Sequence, residues 1–271
     1  MKKLLLAGAF FLLLAGNAKA TEVPVDIRVN GEYIITDTEP VIRSGTTNAP
    51  IRAIADSLGA ESVEWDKGTA RVSIDGKEVS VSIGSKNAFV NGKTIKMNGP
   101  AFIHNDRTLI PVRAMSDIFG ARVGWDDEYK NVELTKPTVN VSKEMIDHSF
   151  THDELYWLSR IINAESRGES MRGKIAVGDV ILNRVKSPLF PNTIYGVIFD
   201  KQYAVQFEPV INGTIYFSPS ADSVGAAKLS LTNPSTVGDC LYFFNPITAT
   251  NSWIAQNRPY YTTIGGHVFY L

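Results

Sequence analysis

The chain has 271 residues, 44% of them hydrophobic, with 27 Lys and Arg against 28 Asp and Glu for a formal charge of −1. That balance excludes a disordered or collagen-like chain. It also argues against nucleic acid or an anionic membrane surface as the main partner, because both call for a basic patch. The lone cysteine, Cys240, excludes an internal disulfide.

Lys2 and Lys3 precede an apolar run from Leu4 to Ala15, and Ala18-Lys19-Ala20 follows. A basic start, a short apolar core and an A-x-A site describe a secretory signal over residues 1–20, cut after Ala20. The run is short for a bilayer span, and no later run is long enough, so no membrane span is expected after cleavage. Export without disulfides points to the cell envelope, wall or spore of a Gram-positive-type bacterium.

The next hundred residues contain an internal repeat. APIRAIADSLGAESVEWD (49–66) aligns with IPVRAMSDIFGARVGWD (110–126) after one residue is dropped. Each copy predicts a helix opening near a proline (Pro50, Pro111), closing at a glycine (Gly59, Gly120), and followed by a Trp-bearing strand. A second strand completes each copy, ARVSID (70–75) and NVELT (131–135). Between the copies, residues 77–97 alternate with period two around Asn91-Gly92, a hairpin signal. Asn30-Gly31 in DIRVNGEYI repeats that signal. Residues 21–136 are therefore expected to form a β-rich α+β domain made by duplication. Arg52 and Arg113, at matching positions, are expected to be buried partners of structural salt bridges.

NDRTLIPVRAMSDIFGARVGWD (105–126) is similar to the N-terminal, stalk-like domain of copper amine oxidases. The first copy departs from the family pattern at Thr46-Thr47-Asn48-Ala49. The resemblance implies a spacer or an envelope-binding module. It does not imply copper, because this region holds one histidine, His104, and no cysteine.

Residues 137–150 read as a linker. His148 and His152 stand four apart, with Asp147 and Asp153 beside them, which on one continuous helix would be half a metal site. Thr151 as a helix N-cap separates the two, so they are expected to be solvent-exposed and no metal is expected.

Thr151-His152-Asp153-Glu154 forms a capping box. The helix after it carries an apolar stripe through Leu155, Leu158, Ile161 and Ile162, and stops at Gly168. Glu165 falls inside that stripe, in the last turn. Burial and the negative end of the helix dipole both favour the neutral carboxyl there. A protonated carboxyl near neutral pH is what general-acid cleavage of a glycosidic bond requires. The wheel alone leaves an equal alternative: a glutamate paired with a buried arginine, such as Arg184. Glu169, past Gly168, is expected to be exposed.

Residues 170–186 predict a central buried helix that contains one polar residue, Asn183, whose hydrogen-bond partner is either the chain or a sugar. Residues 203–219 read as a polar-aromatic loop entering a hairpin with Asn212-Gly213 at its tip. A short helix is expected near Ala221–Leu231, then a strand in CLYFFNP, where Cys240 reads as a buried structural thiol. Aromatic and amide side chains gathered in loops suit carbohydrate binding.

RIINAESRGESMRGKIAVGDVILNRVKSPLFPNTIYGVIF, QFEPV, LYFFNP and IGGHVFY together resemble the SleB/CwlJ-type cell wall hydrolases, the spore-cortex-lytic enzymes and their vegetative relatives. The likeness runs through essentially all of residues 153–271. It implies a lysozyme-like, mainly helical catalytic domain with a small β region, so that the whole is a two-domain α+β protein. Glu165 takes the place of the family's catalytic acid. Asn183, Gln206, Phe207, Tyr242, Asn245 and His267 become candidate substrate contacts, with peptidoglycan as partner and no cofactor. The implied reaction is lytic transglycosylation between N-acetylmuramic acid and N-acetylglucosamine, which needs one acid–base group. Two rivals stand beside it: a hydrolytic muramidase using Glu165 with Asp179 or Glu208, and a wall-binding protein without activity. The sequence does not separate spore cortex from vegetative wall as substrate.

Overall fold

The computed structural model describes residues 24–202, 205–249 and 252–271, so the expected signal and its cleavage site lie outside the described residues. The N-terminal half runs β1 (Asp26–Val29), β2 (Glu32–Tyr33), β3 (Val41–Arg43), β4 (Thr46–Pro50), α1 (Ile51–Ser57), β5 (Ser62–Asp66) and β6 (Thr69–Ile74). It continues with β7 (Lys77–Ser82), β8 (Asn87–Val90), β9 (Lys93–Lys96), β10 (Phe102–His104), β11 (Arg107–Pro111), α2 (Val112–Phe119), β12 (Arg122–Asp126) and β13 (Asn131–Thr135). Asn30-Gly31 and Asn91-Gly92 both have positive φ at each residue, as tight hairpin turns demand.

Both aligned segments take the same course: a strand, a short helix entered through proline, and a two-stranded hairpin. Their leading strands pair at the centre of the sheet β10-β11-β4-β3. Ala49 faces Ile110 there, flanked by Pro50 opposite Leu109 and Asn48 opposite Pro111. The aligned positions therefore exchange across this pairing. One apolar core joins the sheets to both helices, with Ile54, Leu58, Val72, Ile110, Met115 and Phe119 at its middle. Arg52 and Arg113 lie on the outer faces of α1 and α2 and are exposed. The expectation of buried salt bridges is corrected: each lies on the exposed face of a short amphipathic helix.

Residues 137–150 are docked rather than free. Ile146 bridges Ile34, and Phe150 packs on Tyr33 with ring centroids 5.0 Å apart. The C-terminal half then builds α3 (His152–Ser166), α4 (Met171–Lys186), α5 (Ile194–Ile198), α6 (Glu208–Asn212), α7 (Ala221–Thr232), β14 (Tyr242–Phe244), α8 (Trp253–Asn257), β15 (Tyr260–Ile264) and β16 (His267–Tyr270). The three strands form a small sheet in the order β14-β16-β15. The expected hairpin at Asn212-Gly213 is a helix end instead. Pro209 opens α6 and Gly213, at φ 80°, closes it, so the same Asn-Gly pair serves as a helix stop.

Helices α3, α4 and α7 pack together around Leu158, Ile162, Val177, Ile181 and Val224. Their close approach depends on Gly178. A Cβ there would stand 2.7 Å from Ser230 Oγ and 2.8 Å from Ile162 Cδ1. The two halves meet through a polar interface. Buried Lys228 of α7 pairs with Asp26 at 2.8 Å and donates to Asn131 Oδ1 and to the Pro24 carbonyl, both at 3.0 Å. Arg160 of α3 reaches Glu128 at 2.8 Å and Tyr129 at 2.5 Å. His152 also faces this interface, with Nδ1 3.4 Å from Tyr33 Oη. It is half-buried and not a solvent-exposed linker residue, whereas His148 is exposed. No helix among the described residues is long and apolar enough to cross a membrane.

Candidate active site

The start of α3 is fixed by Thr151 Oγ1, which accepts from Glu154 N, while the Glu154 carboxylate accepts from Thr151 N at 2.7 Å. From that anchor the apolar stripe is set. Leu155, Leu158, Ile161 and Ile162 have no exposure, and each such side chain contributes about 2 kcal/mol by leaving water. Four residues and one turn later, Ser166 is buried and donates back to the Ile162 carbonyl at 2.6 Å, which ties down the helix end. Glu165 emerges between these buried positions at the wall of a cleft of about 710 Å³.

Burial pushes the Glu165 carboxyl up to about 7; Glu208 adds to the rise and Arg184 opposes it. Glu165 and Arg184 form no ion pair among the described residues. The arginine is committed elsewhere: its Nε donates to the Leu241 carbonyl at 2.7 Å. Its guanidinium lies over Phe190, Phe207 and Tyr242 at 4.9, 5.4 and 5.7 Å. Burial brings Arg184 down to about 10, so it remains a cation at neutral pH. The pairing that the helical wheel left open is thus not made, and the carboxyl is held close to half-protonation near neutrality.

Of the sequence candidates, Gln206, Phe207, Tyr242, Asn245 and His267 line this cleft beside Glu165. Asn183 does not. Its amide donates to the carbonyls of Gly238 at 2.7 Å and Cys240 at 3.0 Å, binding α4 to the segment before β14. The candidate substrate contact is corrected to a clasp between chain segments. Asp179, a possible second carboxylate, likewise accepts from Thr236 N at 2.6 Å and Oγ1 at 2.7 Å, and does not line the cleft. Glu208 does line it.

Glu169, expected to be exposed, turns inward. Both carboxylate oxygens accept from Gly266 N at 3.2 Å, and Oε1 lies 3.6 Å from His267 Nδ1. The β15–β16 turn must be glycine to admit it: Gly265 has φ +58°, and a Cβ there would stand 1.9 Å from the Glu169 carboxylate. Burial lowers the pKa of His267, with Glu169 opposing, so its ring is neutral at neutral pH. The sequence reasoning also missed Trp253, Phe243, Phe244 and Thr248 as cleft residues. The aromatic run around Tyr242 was the available signal. Arg258 lies over Tyr242 and Trp253, 4.7 and 5.4 Å from their ring centroids, and so braces that wall. Cys240 is buried, with its thiol pushed up to about 11 by burial, as expected of a structural cysteine. No group of three or more His, Cys, Asp or Glu among the described residues is placed to hold a metal ion.

A proton donor poised near 7, aromatic faces, amides and no ion pair on the donor can together protonate a sugar leaving oxygen while rings hold the pyranoses. Comparison with known proteins gives the following. Residues 28–134 match the copper amine oxidase N-terminal domain family, and residues 168–270 match the cell wall hydrolase family, beginning three residues after Glu165. A spore cortex-lytic enzyme of Bacillus cereus is 38% identical over 46% of this chain and 46% of its own length. One of Bacillus subtilis is 38% identical over 44% of this chain and 38% of its own. The chain thus spans less than half the length of these curated relatives. Among solved structures, the catalytic domain of the germination-specific lytic transglycosylase SleB from Bacillus anthracis has 37% identity. It covers 46% of this chain and 100% of that one, with a TM-score of 0.43. The catalytic domain of Bacillus cereus SleB has 38% identity, 46% and 94% coverage and a TM-score of 0.42. The C-terminal half of this chain resembles the cell wall hydrolases of the spore cortex-lytic type, and its N-terminal half resembles the copper amine oxidase N-terminal domain.

Proposed function

We propose that this chain is an exported lytic transglycosylase of peptidoglycan, with Glu165 as its single acid–base group. The observation that carries the proposal is the Glu165 carboxyl, raised to about 7 at the wall of an aromatic cleft. Protonated Glu165 gives its proton to the oxygen that links C1 of N-acetylmuramic acid to N-acetylglucosamine, and the C1–O bond breaks. The resulting carboxylate takes the proton of the muramoyl C6 hydroxyl, whose oxygen bonds to C1 and closes a 1,6-anhydro ring. Glu165 ends protonated and no water is consumed. Tyr242 offers a ring to the sugars, buried Phe207 shapes the cleft wall, and Gln206, Asn245 and His267 offer polar contacts. The names of the relatives, and the match of residues 168–270, support the substrate class.

A hydrolytic muramidase is the second reading, favoured only by Glu208, which shares the cleft with Glu165. We assign the N-terminal half to a duplicated module. The exchange of aligned residues across the β4–β11 pairing supports this. The test of the activity is solubilisation of purified sacculi and spore cortex by the wild type and by Glu165→Gln. Loss of about 10²–10⁴ in rate is expected on removing the proton. Undiminished lysis would overturn the assignment.

A further inference from the structure

Two of the clefts in the N-terminal half, of about 320 Å³ and 580 Å³, are built on one plan. The first is lined by Ile42, Thr46 and Thr47 of the β3–β4 hairpin, Arg113 of α2, Trp125 of β12 and Val132 of β13. The second is lined by Ile103, Arg107 and Thr108 of the β10–β11 hairpin, Arg52 of α1, Trp65 of β5 and Ala70 of β6. Each member of the first set has its aligned counterpart in the second. The registers agree as well: Trp65 pairs with Ala70, and Trp125 with Val132. Each groove joins the hairpin of one repeat to the helix and Trp strand of the other.

The side chains that face outward are those that folding alone would hide. Trp65 is 49% exposed and Trp125 42%, and the matching isoleucines, Ile42 and Ile103, are 50% and 48% exposed. Single exposed apolar residues need no explanation. A Trp and an Ile left half in water at the same places in both repeats, each beside an exposed arginine, form a repeated surface. Neither Arg52 nor Arg113 forms a salt bridge among the described residues, and the charge of Arg52 also acts on Asp56 one turn along α1. Asp37, Glu64 and Asp106 lie in the second groove, and such acids disfavour a polyphosphate or an anionic lipid surface.

We propose that these grooves are twin subsites for the glycan strand of peptidoglycan, lying outside the Glu165 cleft and holding the enzyme on its polymer. The proposal rests on the substrate class proposed above. An indole face suits the C–H face of a pyranose. A guanidinium beside it suits the acetamido carbonyl, and threonine hydroxyls suit the sugar hydroxyls. A repeating polymer also explains why two like sites occur in one module. Each alone binds weakly, and the second engages at high effective concentration once the first is held.

The test uses the full chain carrying Glu165→Gln, so that bound polymer is not cut, and measures co-sedimentation with purified sacculi. Trp65→Ala and Trp125→Ala are added singly and together. Each single change is expected to weaken binding about tenfold and the pair by about a hundredfold or more. Trp65→Phe with Trp125→Phe, which keeps a ring in each groove, is expected to restore most of the affinity. An N-acetylglucosamine hexamer should change indole fluorescence in the parent and lose the Trp65 and Trp125 part of that change in the double variant. A double alanine variant with unchanged thermal melting that sediments as well as its parent overturns the proposal. So does one whose loss is of self-association, read by light scattering. Wild-type lysis of sacculi is scored apart. If the wild type cleaves while the double variant binds normally, the grooves fail and the activity stands. If the wild type does not cleave although binding depends on the tryptophans, the activity fails and the grooves stand.

Discussion

In the proposed mechanism Glu165 trades stability for chemistry. Its carboxyl titrates at about 7 in the folded chain against an ordinary 4.5. Between those values the folded state keeps a proton that the unfolded chain has released, so stability falls as pH rises through that window. Above pH 7 the accumulated cost is about 3 kcal/mol. Glu165→Gln removes it. Calorimetry is expected to show the variant melting several degrees above the wild type at pH 8, with the two alike at pH 4. Activity follows the same proton: kcat/KM is expected to fall tenfold per pH unit above about 7. Glu208 raises the Glu165 value, so Glu208→Gln is expected to move that alkaline limb to lower pH while retaining lysis. If Glu208→Gln abolishes lysis, the hydrolytic reading gains. The position of Glu165 was legible in the sequence because helical spacing is local: Leu158, Ile162 and Glu165 fall within two turns. Asn183 and Glu169 were misplaced for the opposite reason. The carbonyls of Gly238 and Cys240, and the Gly266 amide, lie far along the chain from the side chains they bind.

At the level of elements, the helices carry their own boundaries. Thr151 and Glu154 start α3 as the capping box implied, and Thr151→Ala is expected to cost about 1 kcal/mol, read as a shift in the urea midpoint. The packing of α3, α4 and α7 rests on Gly178, where any Cβ enters the space of Ser230 and Ile162. Gly178→Val is expected to lose about 3 kcal/mol or more by overpacking, and to lose lysis with it because α3 holds Glu165. A neutral effect in thermal melting would mean that the helices can part without cost. Hairpins at Asn30-Gly31 and Asn91-Gly92 were readable because the turn type selects its residues. Asn212-Gly213 was not, since the same pair suits a hairpin turn and a helix end. The flanking Glu208-Pro209 decides the matter in favour of α6.

Across the whole molecule, the two halves are joined by charges that no periodicity could reveal. Burial draws Lys228 and Asp26 both towards neutrality, and the charge of each opposes that shift in the other. Lys228→Ala leaves Asp26 and Asn131 without their partner and is expected to cost about 3 kcal/mol or more. Scanning calorimetry is expected to show one transition for the wild type and two for this variant. The division into a β-rich half and a helical half was legible, because alternation and 3.6-residue spacing occupy separate stretches of the chain. The docking of residues 137–150 was not, because it depends on Tyr33, Ile34 and Phe150 meeting across the fold. In the proposed reaction one carboxyl, working without a water nucleophile, cuts the glycan strand. Mass analysis of muropeptides released from purified cortex and vegetative sacculi separates this from hydrolysis. Products ending in 1,6-anhydro-N-acetylmuramic acid, one water lighter than the hydrolytic product, are expected. Reducing N-acetylmuramic acid ends, with one oxygen taken from labelled water, would contradict the proposed reaction.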